Sequence, residues 1–313
     1  MYDYMLPTHV RLRNATPRVA FSRAAATPAR GFTSHFLNMS DKADPATWGV
    51  TLQSAKLNGI TQRWADTAST DAERALPVIL FMHGWPESWF SWRHQLKACA
   101  AAGFRGIAPD MRGYGGTSAP TDVASYNCYV LAADMLALLQ HVGAATAALV
   151  GHDHGANTGW TLSLLHPDVF TIYCAMSVPY SPRRPDGPAP IEGMRRNFGD
   201  EREPSSDPGF FYILHHQLPE ATQQYEANSR DVLLTLYGDP ASAKAPPEVT
   251  TDRMFVDGEA KGMWARQPTP MALQDYISAE ELEYVIEEFE TAGWNGGLNW
   301  VGVIFISFHG HTI

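Results

Sequence analysis

Four short apolar runs stand out along the chain, separated by polar and glycine-rich segments. They lie at residues 77–82, 105–109, 146–150 and 172–178, and each has the length of one buried strand. After the third run, residues 156–165 are rich in small and apolar positions and end at His166-Pro167, which is typical of a helix that stops before a proline. The pattern therefore predicts strands at the first three runs and a helix after the third.

The turn between the third run and its helix has the sequence Gly151-His152-Asp153-His154-Gly155. A Gly-x-nucleophile-x-Gly turn between a strand and a helix is the form of a nucleophile elbow. The two glycines allow a strained backbone and a close approach of helix to strand. Asp153 stands at the apex, and we predict that it is a nucleophile. The alternative is an ordinary glycine-flanked turn in which an aspartate caps a helix.

A carboxylate at this position favours attack on saturated carbon. Attack on an ester or amide would give a mixed anhydride, with little gain over the starting acyl group. Attack on an epoxide or a carbon–halogen bond would displace oxygen or halide and leave an alkyl-enzyme ester, which water can then hydrolyse at the Asp153 carbonyl. The residue type therefore indicates covalent hydrolysis in two steps.

The first apolar run ends in the loop His83-Gly84-Trp85-Pro86. At the carboxyl edge of a parallel sheet, such a loop can direct backbone N–H groups into a site. We predict that the backbone amides of Trp85 and His154 form an oxyanion hole. The Trp85–Pro86 peptide is expected to be cis, because a cis proline usually serves a tight turn. His83, Gly84 and Pro86 are expected to be structural, and an ordinary strand–helix loop is the alternative.

Three motifs, at residues 83–96, 112–116 and 151–156, together resemble the soluble epoxide hydrolases of the α/β-hydrolase superfamily. The similarity covers about residues 45 to 300, and the three motifs in this order are highly specific. The resemblance implies a mostly parallel sheet flanked by helices, with a strand at the fourth run, residues 172–178, and a helical cap inserted after it. One departure is His154, where members of this family commonly carry tryptophan. Because the expected donor there is a backbone N–H, the role is retained.

The resemblance also implies two cap tyrosines that hydrogen-bond the epoxide oxygen as it becomes an alkoxide, a task that suits a neutral phenol. Tyr212 matches the first, and Tyr225 is a weaker competitor. Tyr284 matches the second and lies on a predicted helix that Ser278 and Glu281 open with a capping box. It lies roughly opposite the apolar stripe of that helix. We expect both side chains to face the substrate cavity. The alternatives are a core position for Tyr212 and solvent exposure for Tyr284.

The family carries a histidine base near its C-terminus and a carboxylate that orients it. Here the likeness stops at Trp300, and residues 301–313 do not match the family pattern. The late strand with its acid, the last strand, the histidine loop and the closing helix are expected to be missing, as in a truncated or mis-spliced product. Residues 301–308 are apolar and β-prone and could extend the open sheet edge, which would make His309 or His311 a substitute base. His83, His152 and His154 are expected to have structural roles in their motifs rather than to act as bases. Without a base, the chain is expected to alkylate itself and then stall.

The expected domain organisation is a core with an inserted lid and two atypical ends. The boundaries are 1–38 for a presequence or disordered tail, 39–184 for the α/β-hydrolase core, 185–295 for the helical cap and 296–313 for the aberrant end of the core. The loop at residues 110–118 follows the second run and is predicted to be architectural, with Arg112 as an anchor rather than a catalyst.

Composition is compatible with one globular enzyme. The 313 residues carry 23 Lys and Arg against 33 Asp and Glu, and the net charge of −10 argues against nucleic acid or an anionic membrane as a partner. The three cysteines are scattered and form neither a metal spacing nor a disulfide framework, so we expect no metal and a reducing compartment. No apolar run approaches the roughly 20 residues of a membrane span.

The N-terminal residues 1–36 contain five arginines and one acidic residue and are rich in Ser, Thr and Ala. Such a segment resembles a mitochondrial or plastid transit peptide, and a disordered cytosolic tail is the alternative. The expected location is therefore intracellular, either cytoplasmic or within one of these organelles.

The sequence predicts an epoxide hydrolase-like enzyme without a cofactor, acting on a small lipid or xenobiotic epoxide. Asp153 would open the epoxide, and hydrolysis of the ester to a vicinal diol would depend on a base. One alternative is a haloalkane or haloacid dehalogenase, which shares the aspartate nucleophile. The other is a catalytically dead binding protein or fragment. The oligomeric state is open.

Overall fold

A six-stranded sheet forms the centre of the computed structural model, which describes residues 44–182, 190–198, 209–239, 242, 255–257 and 272–306. The strands are β1 (Thr51–Leu57), β2 (Ile60–Asp66), β3 (Val78–Met82), β4 (Arg105–Pro109), β5 (Ala147–His152) and β6 (Phe170–Met176), in the order β1-β2-β4-β3-β5-β6. The pairings β1–β2 and β2–β4 are antiparallel, whereas β4, β3, β5 and β6 run parallel. All four apolar runs are therefore strands, as predicted, and the sheet is mostly parallel.

Helices flank this sheet in the first half of the chain. They are α1 (Asp71–Arg74), α2 (Arg93–Ala101), α3 (Cys128–His141) and α4 (His154–Leu165), with short 3₁₀ helices at Pro45–Trp48, Trp89–Trp92 and Val123–Tyr126. Helix α4 packs on β5 and β6, α2 packs on β4, and α3 packs on β1 and α4. Helix α4 begins directly after Asp153, so the strand–turn–helix prediction is confirmed.

The described elements after β6 are mostly helical. They are α5 (Pro190–Phe198), β7 (Gly209–Phe211), α6 (Tyr212–His215), α7 (Ala221–Ala227), α8 (Ser229–Tyr237), β8 (Phe255–Asp257), α9 (Ala279–Ala292) and α10 (Asn295–Ile306), and β7 pairs antiparallel with β8. The predicted capping box opens α9, where Ser278 accepts a hydrogen bond from the Glu281 amide and Glu281 accepts one from the Ser278 amide. None of the helices in the described residues is long and apolar enough to span a membrane.

Several domain boundaries remain predictions. Residues 1–43 lie outside the described residues, as do parts of the predicted cap. The predicted presequence and the junction into the cap therefore carry no structural account.

The described part of residues 301–308 does not form the strand that could have extended the sheet edge, because it is the second half of helix α10. Periodicity cannot distinguish a buried strand from a buried helix in a short apolar run. Helix α10 is packed at Trp300, whose indole N–H donates a hydrogen bond to the carbonyl oxygen of Arg112 at 2.7 Å. His309 and His311 lie outside the described residues, so their part as a substitute base stays a prediction.

A buried ion pair between Arg112 and Asp134 anchors the loop after β4. Nε and Nη2 of Arg112 donate to the two carboxylate oxygens of Asp134 at 2.8 and 2.7 Å. Both side chains are almost completely buried, so the pair joins this loop to helix α3. Arg112 therefore has the contacts of the predicted anchor.

Candidate active site

The bend between β5 and α4 has the geometry of a nucleophile elbow. Asp153 has φ 51° and ψ −118°, a positive φ that is rare outside glycine. A Cβ on Gly155 would lie 2.3 Å from the carbonyl oxygen of Met82, and a Cβ on Gly151 would lie 2.6 Å from the carbonyl oxygen of Gly155. The two glycines are required because helix and strand approach this closely, and the Asp153 side chain projects from the bend.

One carboxylate oxygen of Asp153 is held by the loop after β3. Its Oδ1 accepts a hydrogen bond from the backbone N–H of Trp85 at 3.0 Å, and the Trp85–Pro86 peptide is cis, as predicted. Gly84 allows the approach, since a Cβ there would lie 2.4 Å from Cβ of Asp153. With Oδ1 bound to this amide, Oδ2 would be the attacking oxygen if Asp153 is the predicted nucleophile. Oδ1 would then carry the negative charge when the resulting ester is hydrolysed.

His154 begins helix α4, and its backbone N–H belongs to the first turn, whose amides have no acceptor inside the helix. This amide is therefore available as the second predicted oxyanion donor. The imidazole is buried, with Nε2 3.9 Å from Oδ1 of Asp153, and burial lowers its pKa. The ring is neutral near pH 7.

His83 has the contacts of a structural residue. Its Nε2 accepts a hydrogen bond from the backbone N–H of Met111 at 2.9 Å, so Nδ1 carries the proton and donates to the carbonyl oxygen of Gly84 at 2.9 Å. Burial lowers the pKa of His83. Both ring nitrogens are used to join the loop after β3 to the loop after β4.

Tyr212, the first predicted phenol, packs on the loop that holds Asp153. Its ring stacks on Trp85, with 5.5 Å between centroids and 25° between planes. Burial, and after it the charge of Asp153, raises the pKa of Tyr212. The hydroxyl is therefore protonated at neutral pH and can donate. Tyr225, the weaker competitor, is buried and lies with its hydroxyl 2.8 Å from Nε2 of His216.

Tyr284 is buried among other residues. Its hydroxyl accepts a hydrogen bond from the indole N–H of Trp89 at 3.0 Å and bonds Glu288. Burial and then the charge of Glu288 raise the pKa of Tyr284. For Tyr212, in contrast, the charge that raises the pKa is that of Asp153. The contacts of Tyr284 are those of a packed residue, and its predicted role at the epoxide oxygen stays a prediction that they do not support.

The sequence reasoning missed a histidine–carboxylate pair beside the nucleophile. Nδ1 of His152 lies 3.0 Å from Oε1 of Glu87, and Oε2 of Glu87 accepts a hydrogen bond from the Gly84 amide at 2.8 Å. The hydrogen bond to Glu87 raises the pKa of His152. The signal was present in the two motifs, since Glu87 and His152 each stand near the end of one of two neighbouring parallel strands.

A second missed residue is Tyr114, in the loop after β4. It is buried, and its hydroxyl has no hydrogen-bond partner among the described residues. Burial, followed by the charge of Asp153, raises its pKa. From the sequence, the glycine-rich loop at residues 110–118 was expected to be architectural, so Tyr114 was not expected to lie near Asp153.

Comparison with known proteins identifies the family. Residues 77–189 match the family model of the alpha/beta hydrolase fold. Over 252 residues the chain is 38% identical to epoxide hydrolase A of Mycobacterium tuberculosis. The aligned region covers 78% of this chain and 70% of that protein. It belongs to the epoxide hydrolase family. The α/β-hydrolase fold expected from the sequence motifs is thereby confirmed.

Two further epoxide hydrolases support this assignment. Epoxide hydrolase 3 of Siraitia grosvenorii is 34% identical over 224 residues, 72% of this chain and 65% of that protein. The crystal structure of epoxide hydrolase A from Mycobacterium thermoresistibile superposes with a TM-score of 0.71 at 36% identity, covering 83% of this chain and 76% of that chain. This epoxide hydrolase chain therefore spans about two thirds of the length of the two relatives compared by sequence.

Proposed function

We propose that this chain opens a small epoxide through a covalent ester on Asp153 and hydrolyses the ester to a vicinal diol. The observation that carries the proposal is the elbow carboxylate, with one oxygen held by the Trp85 amide at 3.0 Å and the other placed for attack. An aspartate nucleophile suits attack on saturated carbon, and membership of the epoxide hydrolase family indicates which leaving group is involved.

In the first step, Oδ2 of Asp153 attacks one epoxide carbon and the carbon–oxygen bond of the ring breaks. The oxygen becomes an alkoxide and takes a proton from the hydroxyl of Tyr212. A buried phenol with a raised pKa keeps its proton until this moment, which is what a general acid for an alkoxide needs. Tyr212 also stacks on Trp85, the residue whose backbone N–H holds Asp153.

In the second step, water attacks Cγ of the esterified Asp153. Negative charge develops on Oδ1, which faces the Trp85 amide. The second proposed donor is the backbone N–H of His154, the residue that follows Asp153. Backbone N–H groups fixed in advance at such an oxygen stabilise the tetrahedral intermediate, and one such donor is typically worth about 3 kcal/mol. The diol leaves when the bond between Cγ and the substrate oxygen breaks.

The residues around Trp85 suit an apolar substituent on the epoxide. The Trp85 ring lies 4.7 Å from that of His216 and 6.2 Å from that of Trp294, in addition to its stack on Tyr212. Aromatic side chains of this kind bind apolar groups by area and shape rather than by charge. We therefore place an aryl or alkyl epoxide here, as in lipid or xenobiotic substrates.

A second candidate activity, dehalogenation, has one observation in its favour. The indole N–H of Trp85 is buried and has no hydrogen-bond partner among the described residues. An indole N–H beside an aspartate nucleophile can bind a departing halide. Tyr212 favours the epoxide, because a neutral phenol can protonate an alkoxide and a halide needs no proton.

The deciding experiment offers the purified chain styrene oxide and 1-bromobutane in parallel and measures diol and bromide. We expect diol from styrene oxide, none from an Asp153→Asn variant, and little bromide. Bromide release without diol would favour dehalogenation over epoxide hydrolysis. Neither product, together with no protein adduct by intact mass, would indicate a binding protein instead.

A further inference from the structure

The pair formed by Glu87 and His152 is placed by the sheet itself. Strands β3 and β5 are parallel neighbours, and Met82 pairs with Gly151 at their carboxyl ends. The segments that follow therefore meet above the same edge of the sheet. His152 is the last residue of β5 and directly precedes Asp153, while Glu87 lies five residues beyond Met82.

Glu87 fixes one face of the imidazole. Its Oε1 lies 3.0 Å from Nδ1 of His152, while its Oε2 is held by the Gly84 amide at 2.8 Å. A carboxylate on Nδ1 sets the ring orientation and leaves Nε2, on the opposite side of the ring, to exchange a proton. The His152 side chain is 36% exposed and that of Asp153 is 30% exposed, so water reaches both.

We propose that His152, oriented by Glu87, is the general base that activates water against the Asp153 ester. This inference rests on the proposed function, and it names the group that completes the second half-reaction. Nε2 of His152 removes a proton from water while the water oxygen bonds to Cγ of Asp153. The tetrahedral intermediate collapses by breaking the bond between Cγ and the substrate oxygen, which takes the proton back from His152. Asp153 is left as a carboxylic acid, which gives its proton to the Tyr212 phenolate formed in the first step and is again a carboxylate.

The neighbouring histidines are less suited to this role. Both ring nitrogens of His83 are occupied by backbone groups. The ring of His154 has Asp153 itself as its only charged neighbour within 4 Å among the described residues. That charge disappears when Asp153 becomes an ester, so no carboxylate remains to stabilise a protonated His154. Glu87 keeps its charge throughout the reaction and can stabilise protonated His152.

The two charged groups that act on His152 are Glu87 and Asp153, and both raise its pKa, against an opposing effect of burial. In the ester the Asp153 charge is gone, so Glu87 alone still raises the pKa of His152. A base must be deprotonated to act, so ester hydrolysis should rise with pH through a pKa above that of a free histidine. Neutralising Glu87 removes this remaining charge effect. In Glu87→Gln the rising limb should therefore shift to lower pH, with a lower plateau because the ring is less well oriented.

The test separates the two half-reactions in a single turnover with styrene oxide, followed by intact-protein mass and by diol. His152→Asn should form the adduct at the rate of the unchanged chain but hydrolyse it about 10²- to 10⁴-fold more slowly, the usual contribution of a general base. His166→Asn is the matched control, because His166 follows α4 at the end remote from Asp153. It should hydrolyse the adduct at the unchanged rate.

The outcomes distinguish this inference from the proposed function. If neither adduct nor diol forms in any variant, including the unchanged chain, the proposed function fails. If the adduct forms but His152→Asn hydrolyses it as fast as the control, His152 is not the base and the inference fails. Adduct hydrolysis lost in His154→Asn but kept in His152→Asn would assign the role to the buried ring instead. Glu87→Gln provides a second test in case His152→Asn does not fold. This variant keeps the His152 imidazole, and the rising limb of its ester hydrolysis must still shift to lower pH.

Discussion

The backbone N–H of Trp85 lies 3.0 Å from Oδ1 of Asp153, and this contact joins two motifs 68 residues apart. In the proposed reaction the same amide serves two states. In the resting chain it holds the carboxylate, and in the proposed second step it would face the oxygen on which charge develops. Because the donor belongs to a loop that ends a central strand, it is fixed before the reaction begins, as effective electrostatic stabilisation requires.

Gly84→Ala should displace the nucleophile. A Cβ at this position would lie 2.4 Å from Cβ and 2.7 Å from Oδ1 of Asp153, so one of the two must move. A shift of about 1 Å at a reacting group can cost about 10²-fold in rate. We expect adduct formation to fall by at least this factor, measured by intact mass over time.

The matched control is Gly193→Ala, a glycine of α5 whose added Cβ would meet nothing within 4 Å. It should form the adduct at the unchanged rate. Equal rates in the two variants would mean that the loop and the elbow do not approach as closely as described.

Tyr212→Phe and Tyr284→Phe should have different effects. Loss of the Tyr212 hydroxyl removes the proton donor at the alkoxide, and adduct formation should fall about 10²-fold or more. Tyr284→Phe removes a hydrogen bond to Trp89 and should lower the free energy of unfolding by about 1 kcal/mol. Its adduct formation should change little, measured by the same single-turnover assay. A large loss in Tyr284→Phe at unchanged stability would restore its predicted role at the epoxide oxygen.

Asp134→Asn should destabilise the fold without a direct effect on the reacting groups. It leaves the buried guanidinium of Arg112 without its charged partner, a change that typically costs about 3–5 kcal/mol. Chemical denaturation measures the loss. The control is Asp71→Asn, which breaks an exposed pair with Arg74 and should leave the midpoint unchanged. Similar effects of both changes would contradict a structural role for the Arg112 pair.

Stability should decrease in mild acid because of buried neutral histidines. Burial holds the pKa of His216 well below its ordinary value of 6.5, so the folded chain resists a proton that the unfolded chain accepts. The stabilisation is therefore complete above about pH 6.5 and is lost as pH falls, by about 1.4 kcal/mol for each unit. Melting temperatures between pH 7 and 5 should fall less steeply in His216→Phe than in His166→Asn. Parallel slopes would show that His216 does not carry this dependence.

The sequence predicted the parts of the fold that local signals encode. Apolar runs located β3 to β6, the glycines located the elbow at Asp153, and Ser278 with Glu281 located the start of α9. Each of these signals acts within a few residues.

Features that depend on tertiary packing were harder to predict. Residues 301–308 fit strand and helix equally well by composition, and only packing selects α10. Tyr284 lies off one apolar stripe and is nevertheless buried, because Trp89 and Phe90 pack against it from another segment. Likewise, Glu87 and His152 are distant in sequence, and their meeting follows from the β3–β5 pairing.

The most direct test of the account is single-turnover hydrolysis of styrene oxide in H₂¹⁸O, with mass spectrometry of the diol and of the peptide that contains Asp153. If Asp153 is the nucleophile, water attacks its ester carbonyl, so ¹⁸O enters the Asp153 carboxylate and the first diol carries unlabelled oxygen from the protein. A labelled diol and an unlabelled peptide would mean that water opens the epoxide directly, and the covalent role of Asp153 would be wrong.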